Sequence, residues 1–365
     1  MMLWRSLRAG TVLVALTACP AEALAKKSAK ADKVPDAPPL TAEAINGASL
    51  PKPEVEAKPT QDAKLRKAAV ERPDPVMIKA QVLLDRARFF PGAIDGRDGD
   101  NVRRALSAFA VAQGLPAGAT LTPEVAEKLG GTSDKPVVQD YTITQGDADG
   151  PYLDRIPPKM EAQADLDGLG YTSAREMLAE RFHMQRDLLA ALNPGKSFDK
   201  AGTVILVAAV DPMETGKPSA KDRQAEPKVE RIEVDKTSRG VRALGADGKL
   251  VAYYPASIGS TEKPAPSGTT KVTGVAYDPT YTYNPKYAFR GVKTDKTFSI
   301  KAGPNNPVGV VWIDLDIPSY GIHGTPEPEK VGKTESHGCI RLTNWNARDL
   351  ALHVTRGATV AFKDD

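Results

Sequence analysis

Apolar positions in the first half of the chain recur at helical spacing, and those in the second half alternate. The run from Ile78 to Leu84 opens a helix that stops before Pro91 and Gly92. Val102, Ala105, Leu106 and Phe109 fall at i, i+3, i+4 and i+7 of a second helix, which Asp100 or Asn101 can cap. Leu121, Thr122, Pro123 and Glu124 start a third, ending near Leu129. Next, Tyr141 to Thr144 alternates as a strand does. Ala174–Phe182 and Asp187–Leu192 read as helices, and Ala201 to Val207 as a closing strand. His183, between those helices, reads as a solvated turn residue.

From Val229 the period becomes two. Val229, Arg231 and Glu233 alternate with Glu230, Ile232 and Val234. Val241–Leu244 and Lys249–Tyr254 flank a turn at Ala246, Asp247 and Gly248, a hairpin signal. Thr270–Val275 and Val310–Leu315 continue the pattern, and short strands with frequent turns predict a β-sandwich. One helix interrupts it. Asn344 caps that helix, and Ala347, Leu350, Ala351 and Val354 form its apolar stripe. His353 lies off the stripe and reads as exposed; Gly357 ends the helix, and 358–362 form a last strand.

Composition divides the chain further. Residues 26–73 are rich in Ala, Pro, Lys and Glu without apolar periodicity, which predicts a disordered linker; 211–227 read as a second, polar linker. The expected layout is therefore 1–25 export signal, 26–73 linker, 74–131 small three-helix domain, 139–210 α+β module, 211–227 linker and 228–365 a mostly β domain. In the export signal, Arg5 and Arg8 precede an apolar run over 11–18, too short to span a bilayer. Two cleavage readings stand side by side. Ala23, Leu24 and Ala25 form an A-x-A site; Leu16, Thr17, Ala18 and Cys19 resemble a lipobox, with a lipoprotein signal over 1–18 and Cys19 as a lipid anchor in an outer membrane. Either way the protein is expected to be exported to the periplasm. The net charge of +3 implies no nucleic-acid partner.

Chemistry concentrates between Tyr320 and Leu350, which hold two of the four histidines and one of the two cysteines. Once Cys19 is removed or blocked, Cys339 is a single unpaired thiol in an exported chain, a candidate nucleophile. A thiol attacks as thiolate, so it needs a base; His323 and His337 are both candidates, and Arg341 adds positive charge. Gly324 and Gly338 permit close backbone approach. No His and Cys cluster has metal-ligand spacing, and no cofactor motif is present, so neither a metal nor a cofactor is expected.

Three stretches resemble one known family in its own order. Ser336-His337-Gly338-Cys339-Ile340-Arg341-Leu342 resembles the active-site signature of the L,D-transpeptidases with a YkuD-type catalytic domain. Ile322-His323-Gly324-Thr325 is similar to that family's second signature, and Gly303-Pro304-Asn305-Asn306-Pro307-Val308-Gly309 to its G-P-x-N-P-L-G turn. The helical pattern of 74–131 resembles the peptidoglycan-binding domain, with Ala110 where that family often has Gln. The strand–helix–helix–strand of 139–210 resembles a LysM module, with 146–170 as an insertion foreign to it.

The resemblance implies an enzyme acting on peptidoglycan stem peptides through an acyl-enzyme on Cys339, forming 3→3 crosslinks or attaching a protein to the wall. It also implies that His323 is the base, oriented by the Gly324 carbonyl. His337 and the amides near Gly338 would stabilise the oxyanion. Arg341 would hold a substrate carboxylate or order the loop, and Ser336 would fix the turn. A carboxypeptidase using the same thiol with water, and a wall-binding scaffold with weak catalysis, are the alternatives.

Overall fold

A computed structural model describes residues 40–51, 72–260, 263–287, 294–336 and 338–363. The export signal, Cys19 and His337 lie outside the described residues. The described residues all belong to the unit Pro38–Asp365.

The first described element corrects the linker reading. Helix α1 (Ala42–Asn46) is capped by Thr41, and Ile45 is fully buried. Asn46 follows it and uses its amide as a strand would: Oδ1 accepts from Val137 N and Val138 N, and Nδ2 donates to Val138 O. One buried Ile and one Asn amide with three hydrogen bonds bind a stretch that composition marks as linker.

Three helices follow as expected: α2 (Pro75–Arg86), α3 (Asp100–Ala112) and α4 (Pro123–Gly130). Asp74 caps α2 and Thr122 caps α4. For α3 the cap is Gly99, without a side-chain bond, and this corrects the capping role expected of Asp100 or Asn101. Strand β1 (Val138–Thr142) pairs antiparallel with β2 (Val204–Ala208). Between them lie α5 (Gln145–Asp149), α6 (Met160–Gln163), α7 (Ala174–Arg181) and α8 (Arg186–Leu192). The helical segment and this strand–helix–helix–strand segment share one apolar core, with Ile78, Phe109, Leu178 and Val207 among its members.

His183 corrects its solvated-turn reading. It is buried, its Nδ1 lies 3.0 Å from both Asp85 carboxylate oxygens, and its ring stacks on Trp345 at 5.1 Å. A buried carboxylate supplied by α2 makes the burial of this imidazole tolerable.

The C-terminal half is built on β3 (Val229–Asp235), β4 (Gly240–Leu244), β5 (Leu250–Pro255), β6 (Ser257–Ile258) and β7 (Gly268–Tyr277). A small separate pair, β8 (Tyr281–Tyr283) and β9 (Phe298–Ile300), comes next. Then follow β10 (Val311–Leu315), β11 (Gly321–His323), β12 (Ile340–Arg341), helix α9 (Asn344–His353) and β13 (Val354–Lys363). Nine strands run in the order β5-β4-β3-β13-β7-β10-β11-β12-β6. The long β7 joins the two halves, pairing with β13 through 268–271 and with β10 through 272–277. The expected sandwich is thus a continuous, mostly β array, and both halves feed one core that includes Val234, Tyr254, Ile322 and Ile340.

Helix α9 is capped by Thr343, whose hydroxyl accepts from Asn346 N, so Asn344 stands at the first helical position instead of the cap. Strand β13 begins directly after it. Gly357, with φ +90°, lies inside that strand where the register to β3 shifts, and it does not end the helix. His353 is buried, donating Nδ1–H to the Asp349 carbonyl at 2.7 Å, which corrects its exposed reading.

The halves are locked together. The chain after α2 pairs with the β5 edge: Phe90 N donates to Tyr253 O and Tyr253 N to Arg88 O, each at 2.9 Å. Arg88 then forms an ion pair with Asp349 at 2.8 Å, and Tyr254 donates to the same carboxylate at 2.7 Å. The second expected linker is anchored as well, since Met213 is buried and Arg348 donates to Gly216 O. We predict that Arg88→Ala, which leaves Asp349 part-buried without its cation, lowers unfolding stability by about 1–3 kcal/mol in chemical denaturation. Unchanged stability would show that the two halves are not coupled through this pair.

Candidate active site

Strands β11 and β12 are parallel, with Ile322 opposite Ile340 and His323 opposite Arg341. Ile322 and Ile340 are fully buried in the core. Alternation turns the residues between them to the other face, so His323, Cys339 and Arg341 share one side. Cys339 stands opposite Gly321 in this register, which puts its Cα and that of His323 about 8 Å apart, close enough for their side chains to approach each other. Gly321 is required here, because a Cβ would fall 2.6 Å from the Trp312 ring.

The Cys339 thiol is free and half-buried. Burial pushes its pKa above the ordinary cysteine value, more than the Gly321 N–H, Arg341 and Lys263 pull it down. His323 is buried, and its Nδ1 lies 2.6 Å from the Gly324 carbonyl. A carbonyl only accepts, so Nδ1 carries the proton and Nε2 keeps its lone pair. Burial, and then the charge of Arg341, lower the imidazole pKa to about 3. At rest the site therefore holds a neutral thiol and a neutral imidazole. His323 also stacks on Trp312 at 5.5 Å, which fixes the ring plane.

The turn before the thiol is closed by Ser336. Its hydroxyl donates to the Cys339 carbonyl at 2.5 Å and accepts from Gly338 N at 3.3 Å, while its own N–H donates to Gly259 O. Gly338 takes φ +124°, a conformation closed to most side chains. The Arg341 Nε is buried without a partner among the described residues, and the Arg341 side chain borders the cleft described below.

Asn344 supports the opposite end. Its Oδ1 accepts from Val310 N at 3.2 Å and Thr325 N at 3.1 Å; its Nδ2 donates to Pro304 O at 3.0 Å and Glu180 Oε1 at 2.5 Å. Gly324 has to be glycine, since a Cβ there would lie 2.1 Å from Asn344 Oδ1. The Gly303–Gly309 turn docks on the insertion: Leu169 N donates to Ala302 O and Asn305 N to Leu169 O, both at 2.9 Å.

Cys339, His323, Arg341, Ser336 and Gly338 border a cleft of roughly 1380 Å³. Trp312, Tyr281 and Lys263 also line it, and Ile156 and Met160 reach it from the insertion. Sequence reasoning recognised the insertion but missed its place at the cleft, along with the roles of Trp312 and Glu180. Only the alternation of β10 carried any signal, by putting Trp312 in register with His323.

Comparison with known proteins finds relatives of the C-terminal part of the chain. Residues 229–361 match the family model YkuD, the L,D-transpeptidase catalytic domain. The Bacillus subtilis protein YqjB, assigned by name to the L,D-transpeptidases, is 34% identical over 129 residues, covering 34% of this chain and 65% of that protein. YkuD of Bacillus licheniformis is 27% identical over 188 residues, covering 51% and 91%. YbiS of Escherichia coli K12 is 28% identical over 201 residues, covering 54% and 62%. Residues 229–361 are thus similar to the L,D-transpeptidase catalytic domain, and the chain spans 65% of the length of YqjB.

Burial raises the Glu180 carboxyl pKa to about 8, so it is protonated at neutral pH beside Asn344. A raised folded-state pKa contributes stability that is complete below the unfolded value near 4.5 and lost as pH rises through about 8. We predict that the melting temperature falls over that window and that Glu180→Gln, which mimics the protonated acid, flattens the fall. Parallel pH profiles for the two proteins would contradict the assignment.

Proposed function

We propose that this protein is an L,D-transpeptidase that joins peptidoglycan stem peptides through a thioester on Cys339. The observation that carries this reading is a free thiol just before β12 and a neutral imidazole with an open Nε2 at the end of the adjacent parallel β11, both facing one cleft. The Cys339 sulfur attacks the carbonyl between the third stem residue and the terminal D-alanine. His323 Nε2 takes the thiol proton as the S–C bond forms, because neither group is charged beforehand. The amides near Gly338 and Cys339, with His337, hold the oxyanion. The imidazolium returns its proton to the leaving amine, and D-alanine departs. The amine of a second stem then attacks the thioester, His323 takes its proton, the thiol is restored and a 3→3 crosslink forms.

Arg341, which borders the cleft, takes a carboxylate of the substrate. The segments 74–131 and 139–210 engage the wall polymer, as their resemblance to peptidoglycan-binding and LysM domains implies. The protein works in the periplasm, with Cys19 as the point of any lipid anchor.

The test is turnover of disaccharide-tetrapeptides, followed by mass spectrometry of the products. Cys339→Ala should form no crosslinked dimer, and His323→Ala should be slower by about 10²–10⁴-fold, the usual share of a general base. Full activity of Cys339→Ala would end the reading, and tripeptide without dimer from wild type would replace transfer by hydrolysis.

A further inference from the structure

The loop from Gly324 to Cys339 joins the base to the nucleophile, and side chains from the N-terminal half hold it. Asn101, in α3, is buried and donates Nδ2–H to the Val331 carbonyl at 2.9 Å. Val331 is itself buried, so this carbonyl depends on a protein donor. The next residue, Gly332, has φ +73°, and a Cβ there would fall 2.2 Å from Asn101 Oδ1. The loop and α3 are in contact at the closest approach that glycine permits. Arg104, one turn along α3, donates to Gly332 O at 3.3 Å, and Gly332 N donates to Ser257 Oγ at 3.2 Å. Ser257 is the register partner of Arg341, so the clamp reaches the strand that follows the nucleophile. A second grip comes from α8, where Arg186 binds Glu329 with two parallel bonds of 2.9 and 3.1 Å.

We propose that Asn101 and Arg186 are positioning residues for acyl transfer: they hold the 324–339 loop so that Cys339 stays seated beside Gly321 and His323. The proposal rests on the reading of Cys339 as nucleophile. It means that the N-terminal half sets the reactivity of the thiol as well as any contact with the wall. Neither residue touches the cleft, so their effect passes through the loop. A buried hydrogen bond is the stronger grip, and a part-exposed ion pair the weaker. Misplacement of a reacting group by about 1 Å can cost up to about 10²-fold in rate.

The test compares the full chain with Asn101→Ala, Arg186→Glu and the swapped pair Arg186→Glu/Glu329→Arg. Iodoacetamide alkylation of Cys339 across pH, turnover and melting temperature are measured on each. Among the described residues, the titratable groups around the sulfur, Arg341, Lys263, His323, Tyr281 and Tyr320, are unchanged in every variant. Asn101→Ala should lose about 10-fold in turnover and Arg186→Glu about 3-fold. In both, alkylation should speed up and its midpoint should move down toward the ordinary cysteine value, as a loosened loop exposes the thiol. The swapped pair should recover the wild-type profile and rate. A purely structural role would lower the melting temperature and leave the alkylation profile unmoved, and that result overturns the proposal. If Asn101→Ala does not fold, the Arg186 and Glu329 cycle decides alone, and a swap that restores nothing refutes the clamp. A wild-type protein without acyl-transfer activity would instead reject the proposed reaction, because alkylation reads the clamp without substrate.

Discussion

A single side-chain amide, that of Asn344, ties the site together. Its four hydrogen bonds use both donor and both acceptor positions. They reach the end of β11 next to the base, the Gly303–Gly309 turn, the start of β10 and a buried acid of α7. Two glycines make room for it: a Cβ at Gly309 or Gly324 would collide with its oxygen. The amide is fully buried, so losing any partner would strand a polar group away from water. This explains how a loop, a strand end and a helix from the other half of the chain meet at one point beside His323.

The electrostatics of the site differ from those of a thiolate–imidazolium pair. Burial acts on both reacting groups in the direction of neutrality, raising the thiol and lowering the imidazole. The nearby Arg341 partly offsets the first and deepens the second. A neutral pair does not exist as a standing nucleophile, so deprotonation is coupled to substrate attack. Such a thiol is shielded from adventitious oxidation, which follows thiolate character and exposure.

Much of this was legible in the sequence for definite reasons. Strands β3, β4, β5 and β10 announce themselves by period-two alternation around Gly and Asp turns. The site segments carry His, Gly and Cys in an arrangement that few structural needs would produce. What escaped were long-range facts. His183 reads as a turn residue until Asp85 is seen to face it from another helix. His353 reads as exposed because a stripe on one helix says nothing of what packs on its flank. Linker composition correctly reported polarity over 211–227, but it could not reveal that Met213 and Gly216 are held by the neighbouring elements. The contacts between segments were out of reach for the same reason: the Arg88, Tyr254 and Asp349 contact joins residues far apart in sequence. The insertion gave no periodic signal, yet it supplies part of the cleft wall.

The central claim, that Cys339 becomes acylated in this cleft, is tested most directly by intact-protein mass spectrometry. The full chain would be mixed with a disaccharide-tetrapeptide donor, quenched in acid and mapped by peptide digestion. The account predicts a mass gain equal to the disaccharide-tripeptide acyl group, located on the Cys339 peptide and released by hydroxylamine. Crosslinked product without that adduct, or an adduct on another residue, would contradict it.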